Sequence, residues 1–516
     1  MMMKNSSRSS SSRNDTLYVI IAVIVVLVSI IYWLVILTHA YNTFQDGSGD
    51  LTAYSYNMFF DIHYSSIVHG LQFFVISNHI SPDFIFVLPF FYLYQHSIIL
   101  VYIQAIVICL SSLIVFFTAR RMAKDSFLAL ILEIAFLINP GTTGIITFDF
   151  HIEFLLVPLY LATFYFYIAS NRKFFIISMA LLLGSMEIAP VLGLTMALGL
   201  LLFEMYKADF RLASIDKVKK EMIAVLIVAS IITGVFYYAS IRYLISSYNT
   251  SYQQLPSSLE ITSGSEVGLL SNINSIASNP LAHFAELLPV YEMPLVLIMF
   301  VLSIAVVLLG FGFFTFKKLQ ITLLFLLPWI IAVITWTDFP HFIYTGFQYY
   351  SYSLGSSFAA SMVGLTFMHK WKGSKAGWII TCASILLVVV MLAMVSLILA
   401  PKPILFLTNL RNSVPVPGYN STQIGQLMSI VPDNASLFTM NLISPHLAER
   451  KYMEYIPLNE SNSTYFVPDY MLVVYSNNTD IYTNSSYMFL AYALENYNYT
   501  LYARESDARL YKRSDK

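Results

Sequence analysis

Charge is what this chain has least of. Its 516 residues include only 28 Lys and Arg and 29 Asp and Glu, 11% in all, against 57% hydrophobic residues. Soluble globular proteins carry about 25% charged and about 45–50% apolar residues. A soluble enzyme of this length is therefore excluded, because too little polar surface would remain to cover it. Disorder over most of the chain is excluded as well, since it needs low hydrophobicity. A net charge of −1 leaves no basic footprint for nucleic acid. Cysteine is nearly missing. Cys109 and Cys382 both lie in apolar runs, read as small core residues, and allow at most one bridge. The chain also has no phosphate loop, nucleotide-binding glycine motif or zinc-protease helix. Gly47-Ser48-Gly49 is only a flexible turn.

What remains is the composition of a polytopic membrane protein. A membrane helix needs about 20 mostly apolar residues, and 17–40 is the first such run. Its length and the lack of a small-residue cleavage site mark a signal anchor behind a cytoplasmic Ser-rich tail, 1–16. Further runs lie at 97–118, 125–139, 152–170, 174–188, 189–206, 222–245, 293–316, 319–337, 351–369 and 378–400, about eleven in all. Pro190 sits between two of them as either a turn or a kink. The apolar segment 83–94 is short and reads as re-entrant or interfacial, and the aromatic stretch 54–74 as an interfacial amphipathic segment.

The few bases are distributed in one direction. Of the 28, 18 fall on the tail and loops that this topology places inside, and nine fall after residue 400. Arg242 alone lies at the outer end of a membrane segment. This bias places the N-terminus in the cytoplasm and the C-terminus outside. The expected fold is an all-α membrane bundle over 17–400, with an outer loop at 41–96, followed by a small external α/β domain over 401–516. Strands are expected at 435–440 and 470–475, and a short helix at 443–449. Seven Asn-x-Ser/Thr sequons crowd this last region, at Asn420, Asn434, Asn459, Asn462, Asn477, Asn484 and Asn498. Such acceptors belong on surfaces that face a glycosylating compartment.

The outer loops that lack bases keep their acids. The stretch 41–82 carries Asp46, Asp50, Asp61, His63, His69 and His79. His63 and His69 read as polar partners within an interfacial helix. Glu187 lies in the outer turn near Pro190, and an ionisable group at membrane depth is a functional candidate. Asp149, His151 and Glu153 alternate with Phe150 and Ile152, so an extended backbone would turn all three to one side. In a helix, Asp149 and Glu153 would share a face. Either arrangement suits a divalent metal such as Mg or Mn. Asp149 could equally cap the helix that follows.

The runs Asp50-Leu51-Thr52-Ala53-Tyr54-Ser55-Tyr56, Asn78-His79-Ile80-Ser81-Pro82, Phe148-Asp149-Phe150-His151-Ile152-Glu153 with Pro158, and Met186-Glu187-Ile188 resemble the predicted membrane proteins grouped as domain of unknown function 2079. Val431 to Leu437 and Ile443 to Arg450 extend the resemblance into the external part. That family is similar to the C-type (GT-C) integral-membrane glycosyltransferases. The resemblance implies a GT-C-like bundle in the plasma membrane and transfer of a sugar from a polyprenyl-phosphate carrier. It implies a catalytic acid in the first outer loop, a position that falls on Asp50. Asp149, His151 and Glu153 would then hold metal or sugar phosphate, with His79 and Glu187 as further contacts. Phosphate charge would fall to Arg242, a metal, helix N-termini, or Arg450 and Lys451. A transporter or a non-catalytic scaffold is the competing reading.

Overall fold

The computed structural model describes residues 6–44, 49–64, 81–251, 324, 348–369, 421–454, 467–475 and 481–514. Helix α1 (Ser6–Asn42) runs through the first apolar segment. Ala22, Val26, Trp33 and Leu37 are buried along one of its sides, while Leu27, Val28, Ile31 and Val35 are more than half exposed on the other. A side that is apolar yet uncovered by protein is what lipid contact requires. Helix α2 (Gly49–Tyr64) follows, then a 3-10 turn at Pro82–Phe86 and the short helix α3 (Leu88–Leu93). Ile85, Phe86, Phe90, Tyr92 and Leu93 remain exposed, as suits a segment lying at an interface.

The bundle continues with α4 (Ile98–Ala123), α5 (Ser126–Leu137), α6 (Pro140–Thr147), α7 (Leu156–Ile168), α8 (Arg172–Ser185), α9 (Ala189–Lys207), α10 (Lys217–Ser251) and α11 (Ser351–His369). Local chemistry sets the breaks. Asp125 caps α5 by accepting from the Phe127 and Leu128 amides. Asn139 then accepts from the Gly141 amide, and Pro140 opens α6, so α5 and α6 form one path bent by 47°. The helix expected at 125–139 is present as α5, and the path continues past it into a second helix that the sequence reading did not include. Met186 is extended and Pro190 lies in the first turn of α9, so the proline starts a helix and does not kink one. Among the described residues, four helices are long and apolar enough to cross a membrane, or five with the bent pair counted as one span. The spans expected at 293–316, 319–337 and 378–400 lie outside the described residues.

The chain ends in a small sheet domain. Its helices are α12 (Ser421–Ile430) and α13 (Ile481–Asn496). Its strands are β1 (Leu437–Thr439), β2 (Met453–Glu454), β3 (Tyr470–Val474), β4 (Tyr499–Glu505) and β5 (Ala508–Arg513), in the order β2-β1-β3-β5-β4. β1 runs parallel to β2 and β3, and β5 runs antiparallel to β3 and β4. β3 is buried along its whole length, which explains its unbroken apolar run. Phe438 meets Phe489 of α13 at 4.6 Å between ring centres. Between β1 and β2 the chain makes a 3-10 turn, Ser444–Leu447, close to the expected short helix. Arg450 is buried here and donates from Nε to the Leu447 carbonyl and from Nη1 to the Ala435 carbonyl, at 2.8 and 3.4 Å. It stabilises this domain from within, which corrects its expected role at a phosphate. Asn434 and Asn498 are exposed, as glycan acceptors must be.

α6 passes so close to the 3-10 turn Gln348–Tyr350 that a Cβ on Gly141 would fall inside the Tyr350 ring. Gly141→Ala is expected to cost about 1–3 kcal/mol. Combined with Tyr350→Ala, the loss in detergent thermal unfolding should be smaller than the sum of the two single losses. Simple additivity would show that the two residues do not meet.

Candidate functional site

α2 carries its first acid, Asp50, in its opening turn, where the helix dipole favours a carboxylate. Leu51, Tyr54 and Met58 are buried along α2 at helical spacing and anchor it. Tyr54 packs edge-on against Phe150 at 5.1 Å and stacks on Phe84 at 5.9 Å. Asp50 itself stays largely in solvent, with 59% of its side chain exposed.

Residues 148–151 are extended, with Phe148 at φ −78°, ψ 156° and His151 at φ −141°, ψ 135°. A 3-10 turn, Ile152–Leu155, follows before α7 begins. The extended alternative holds for Asp149 and His151, while Glu153 lies in the turn. The cap of the turn is His151, so Asp149 is not the capping residue. The amide of Gln104, buried in α4, holds the stretch in place. Its Nε2 donates to the Ile145 and Phe148 carbonyls at 2.6 and 3.0 Å, and reaches the Asp149 carbonyl at 3.4 Å. Its Oε1 accepts from the His151 amide at 3.0 Å. Sequence reasoning passed over Gln104. The signal was present, since it is a lone amide in an apolar membrane run, and such groups are placed there for a partner.

His151 sits between two acceptors. Its Nδ1 lies 3.1 Å from the Asp149 carbonyl, and its Nε2 lies 3.4 Å from Asp50 Oδ2. A carbonyl only accepts, so Nδ1 carries a hydrogen. Burial opposes the charged ring, but the hydrogen bond and charge of Asp50, the charge of Glu153 and the Asp149 carbonyl outweigh it. They raise the pKa to about 9. In this arrangement His151 is held as an imidazolium at neutral pH. Among the described residues, no group of three His, Cys, Asp or Glu side chains is arranged to hold one.

Around this pair lies a ring of buried acids and phenols. Burial, then the charges of Glu153, Asp50 and Glu187, push the Tyr54 phenol well up. Tyr349 is raised by burial and by Glu153 and Asp50. Both therefore stay protonated and can donate. Tyr352, at the start of α11, feels the charges of Glu153 and Glu187. Asp83 is a further acid that sequence reasoning missed. Burial raises its pKa to about 7, and its Oδ2 is buried without a hydrogen-bond partner. It faces Gly184, where a Cβ would lie 3.3 Å from its Oδ1, while the Ser81 hydroxyl donates to the Ser185 carbonyl. His63 pairs with Gln95 at 2.6 Å.

The structure thus brings Asp50, His151, Glu153 and Glu187 to one end of the bundle, and Asp149 contributes its carbonyl. His79 and the Arg242 side chain lie outside the described residues. The bases gather at the other end of α4, where Lys219 feels the charges of Glu204, Lys207, Asp216 and Arg121.

Two outcomes follow. A raised histidine pKa stabilises fully below the ordinary value of about 6.5, and the contribution fades as pH rises through about 9. Wild-type unfolding temperature should fall between these limits, and Asp50→Asn should flatten that fall. Gln104→Leu orphans buried backbone groups and should cost about 1–3 kcal/mol per group left unpaired, read by thermal unfolding in detergent.

The crystal structure of ArnT from Cupriavidus metallidurans bound to undecaprenyl phosphate has a similar fold. The TM-score is 0.52 at 12% identity, over 96% of this chain and 98% of that one. The apo form of the same protein gives 0.48 at equal identity and coverage. No curated protein matches the chain. The family model for the DUF2079 predicted membrane proteins matches residues 41–508, which is most of the sequence, and the protein belongs to that family.

Proposed function

We propose that the protein is an inverting integral-membrane glycosyltransferase that takes its sugar from a polyprenyl-phosphate carrier at the outer face of the plasma membrane. The observation that carries this reading is the Asp50–His151 contact: an accessible carboxylate on a helix N-terminus, oriented by a buried imidazolium. The likeness to ArnT supports it at the level of fold, and that structure holds undecaprenyl phosphate. The N-terminus would be cytoplasmic and the sheet domain external, in line with the direction of the bases.

In this reading Asp50 is the general base. It takes the proton from an acceptor hydroxyl as that oxygen bonds to the anomeric carbon. The bond from the anomeric carbon to the phosphate oxygen breaks, and its electron pair leaves with the polyprenyl phosphate. His151 keeps the carboxylate aimed and is the positive charge nearest to it on the described residues. Tyr54 and Tyr349, kept protonated, donate to sugar or phosphate oxygens. Glu153 and Glu187 accept from sugar hydroxyls, with His79 as a further acceptor contact. Arg242, near the end of the described part of α10, is the candidate for the phosphate. No step is routed through a metal, because among the described residues no three His, Cys, Asp or Glu side chains are arranged to hold one. Asp50, Glu153 and Glu187 gather around Tyr54 at one end of the bundle, which favours transfer over transport.

The test is transfer from a panel of radiolabelled polyprenyl-phosphate sugars into lipid or protein by the purified protein in nanodiscs. Asp50→Asn should lower the rate by about 100-fold or more, the loss expected for a general base. Equal transfer by wild type and Asp50→Asn would remove Asp50 from the mechanism. Substrate flux in liposomes without a covalent product would support the transporter reading instead.

A further inference from the structure

α2 has two working sides. At about 100° per residue, Tyr54 lies about 40° from Asp50 around the helix, while Thr52 and Tyr56 lie about 200° and 240° away. The contacts follow this division. Asp50 and Tyr54 meet His151 and Phe150. Thr52 and Tyr56 meet the sheet domain. Thr52 Oγ1 lies 2.5 Å from Ser444 Oγ, and both side chains are buried. Ser444 donates its own hydrogen to the Asn441 carbonyl at 2.8 Å, so Thr52 is the donor in the short contact. The Tyr56 hydroxyl donates to the Lys451 carbonyl at 3.0 Å.

The same segment is tied to the bundle at two other points. Ser97, at the head of α4, donates through its hydroxyl to the Pro445 carbonyl at 2.6 Å and through its amide to Glu449 Oε1 at 3.1 Å. Tyr41, at the end of α1, reaches the Pro445 carbonyl at 3.3 Å and packs its ring on His446 at 3.9 Å, with Phe44 at 4.5 Å from the same imidazole. Residues 443–451 therefore bridge α1, α2 and α4, and they hold α2 on the side away from its acid.

We propose that this segment of the sheet domain is the positioning element of the site: Ser444 and the Lys451 carbonyl fix the opening turns of α2 from behind and so set the Asp50–His151 contact. Ser444, Thr52 and Tyr56 are positioning residues that act through Asp50. The sheet domain is then the back wall of the site and not a display module. The device rests on the Asp50–His151 contact alone, whatever reaction that contact serves.

Amide hydrogen exchange by mass spectrometry on the full-length protein in detergent tests this without turnover, so its failure and that of the transferase reading are separate results. Ser444→Ala should speed exchange about tenfold in residues 49–58, and also in 148–153 on the far side of α2, while β3 and β5 keep their protection. Tyr56→Phe removes one hydroxyl from a half-buried ring and should act in the same direction if Ser444→Ala folds poorly. Ser444→Thr restores the hydroxyl and should restore the slow exchange of 148–153. Asp50→Asn should loosen 148–153 and leave 443–451 unchanged. Unaltered exchange of 148–153 in both Ser444→Ala and Tyr56→Phe would overturn the proposal, because simple docking of the domain would loosen only the surfaces that touch.

Discussion

The site depends on one amide. Residues 148–151 are extended backbone at the head of an apolar bundle, where peptide groups need protein partners if water is scarce. Gln104 supplies them from the second turn of α4, with its nitrogen on the Ile145 and Phe148 carbonyls and its oxygen on the His151 amide. An amide offers two donor hydrogens and an acceptor oxygen on one side chain, so no apolar or charged residue would satisfy the same set. With the stretch pinned, His151 has no choice of direction. Its two nitrogens meet the Asp149 carbonyl and the Asp50 carboxylate.

The scarcity of bases at this end of the protein acquires a physical answer in that imidazole. A charge tally that counts histidine as neutral, as is usual at pH 7, finds almost no cation near the carboxylates. The structure makes one. His151 becomes charged because acids surround it, so the positive group at the site is created by the field it balances. The opposite end works by different means, with permanent cations, Lys207 bonded to Glu204 at 2.9 Å and Arg172 to Glu221.

Much of the architecture could be read from local signals. The helices over 98–123, 189–207 and 351–369 coincide with apolar runs of membrane length. The strand Tyr470–Val474 shows as a continuous apolar run because both of its faces are covered. The extended backbone expected for 149–151 is present, although Glu153 falls in the 3-10 turn that follows. Three things were not legible. That Asp149, His151 and Glu153 are not arranged as a three-ligand set is a matter of tertiary geometry, which composition does not carry. Arg450 looked available because burial and its bonds to the Leu447 and Ala435 carbonyls come only from tertiary packing. Asp83 was hidden in a short apolar run, and its isolation follows from the way that run lies against α8.

Thr52 and Ser444, whose hydroxyls meet, are separated by 392 positions in the chain. A ribosome adds about 5–20 residues each second. The helix bearing Asp50 therefore waits roughly 20–80 seconds before the residue that braces it is made. Throughout insertion of the bundle the acid is present but unsupported, and a stalled or truncated chain would keep it so. Completion of the site therefore waits on folding of the sheet domain, which makes that late-synthesised domain a checkpoint on when this protein can begin to act.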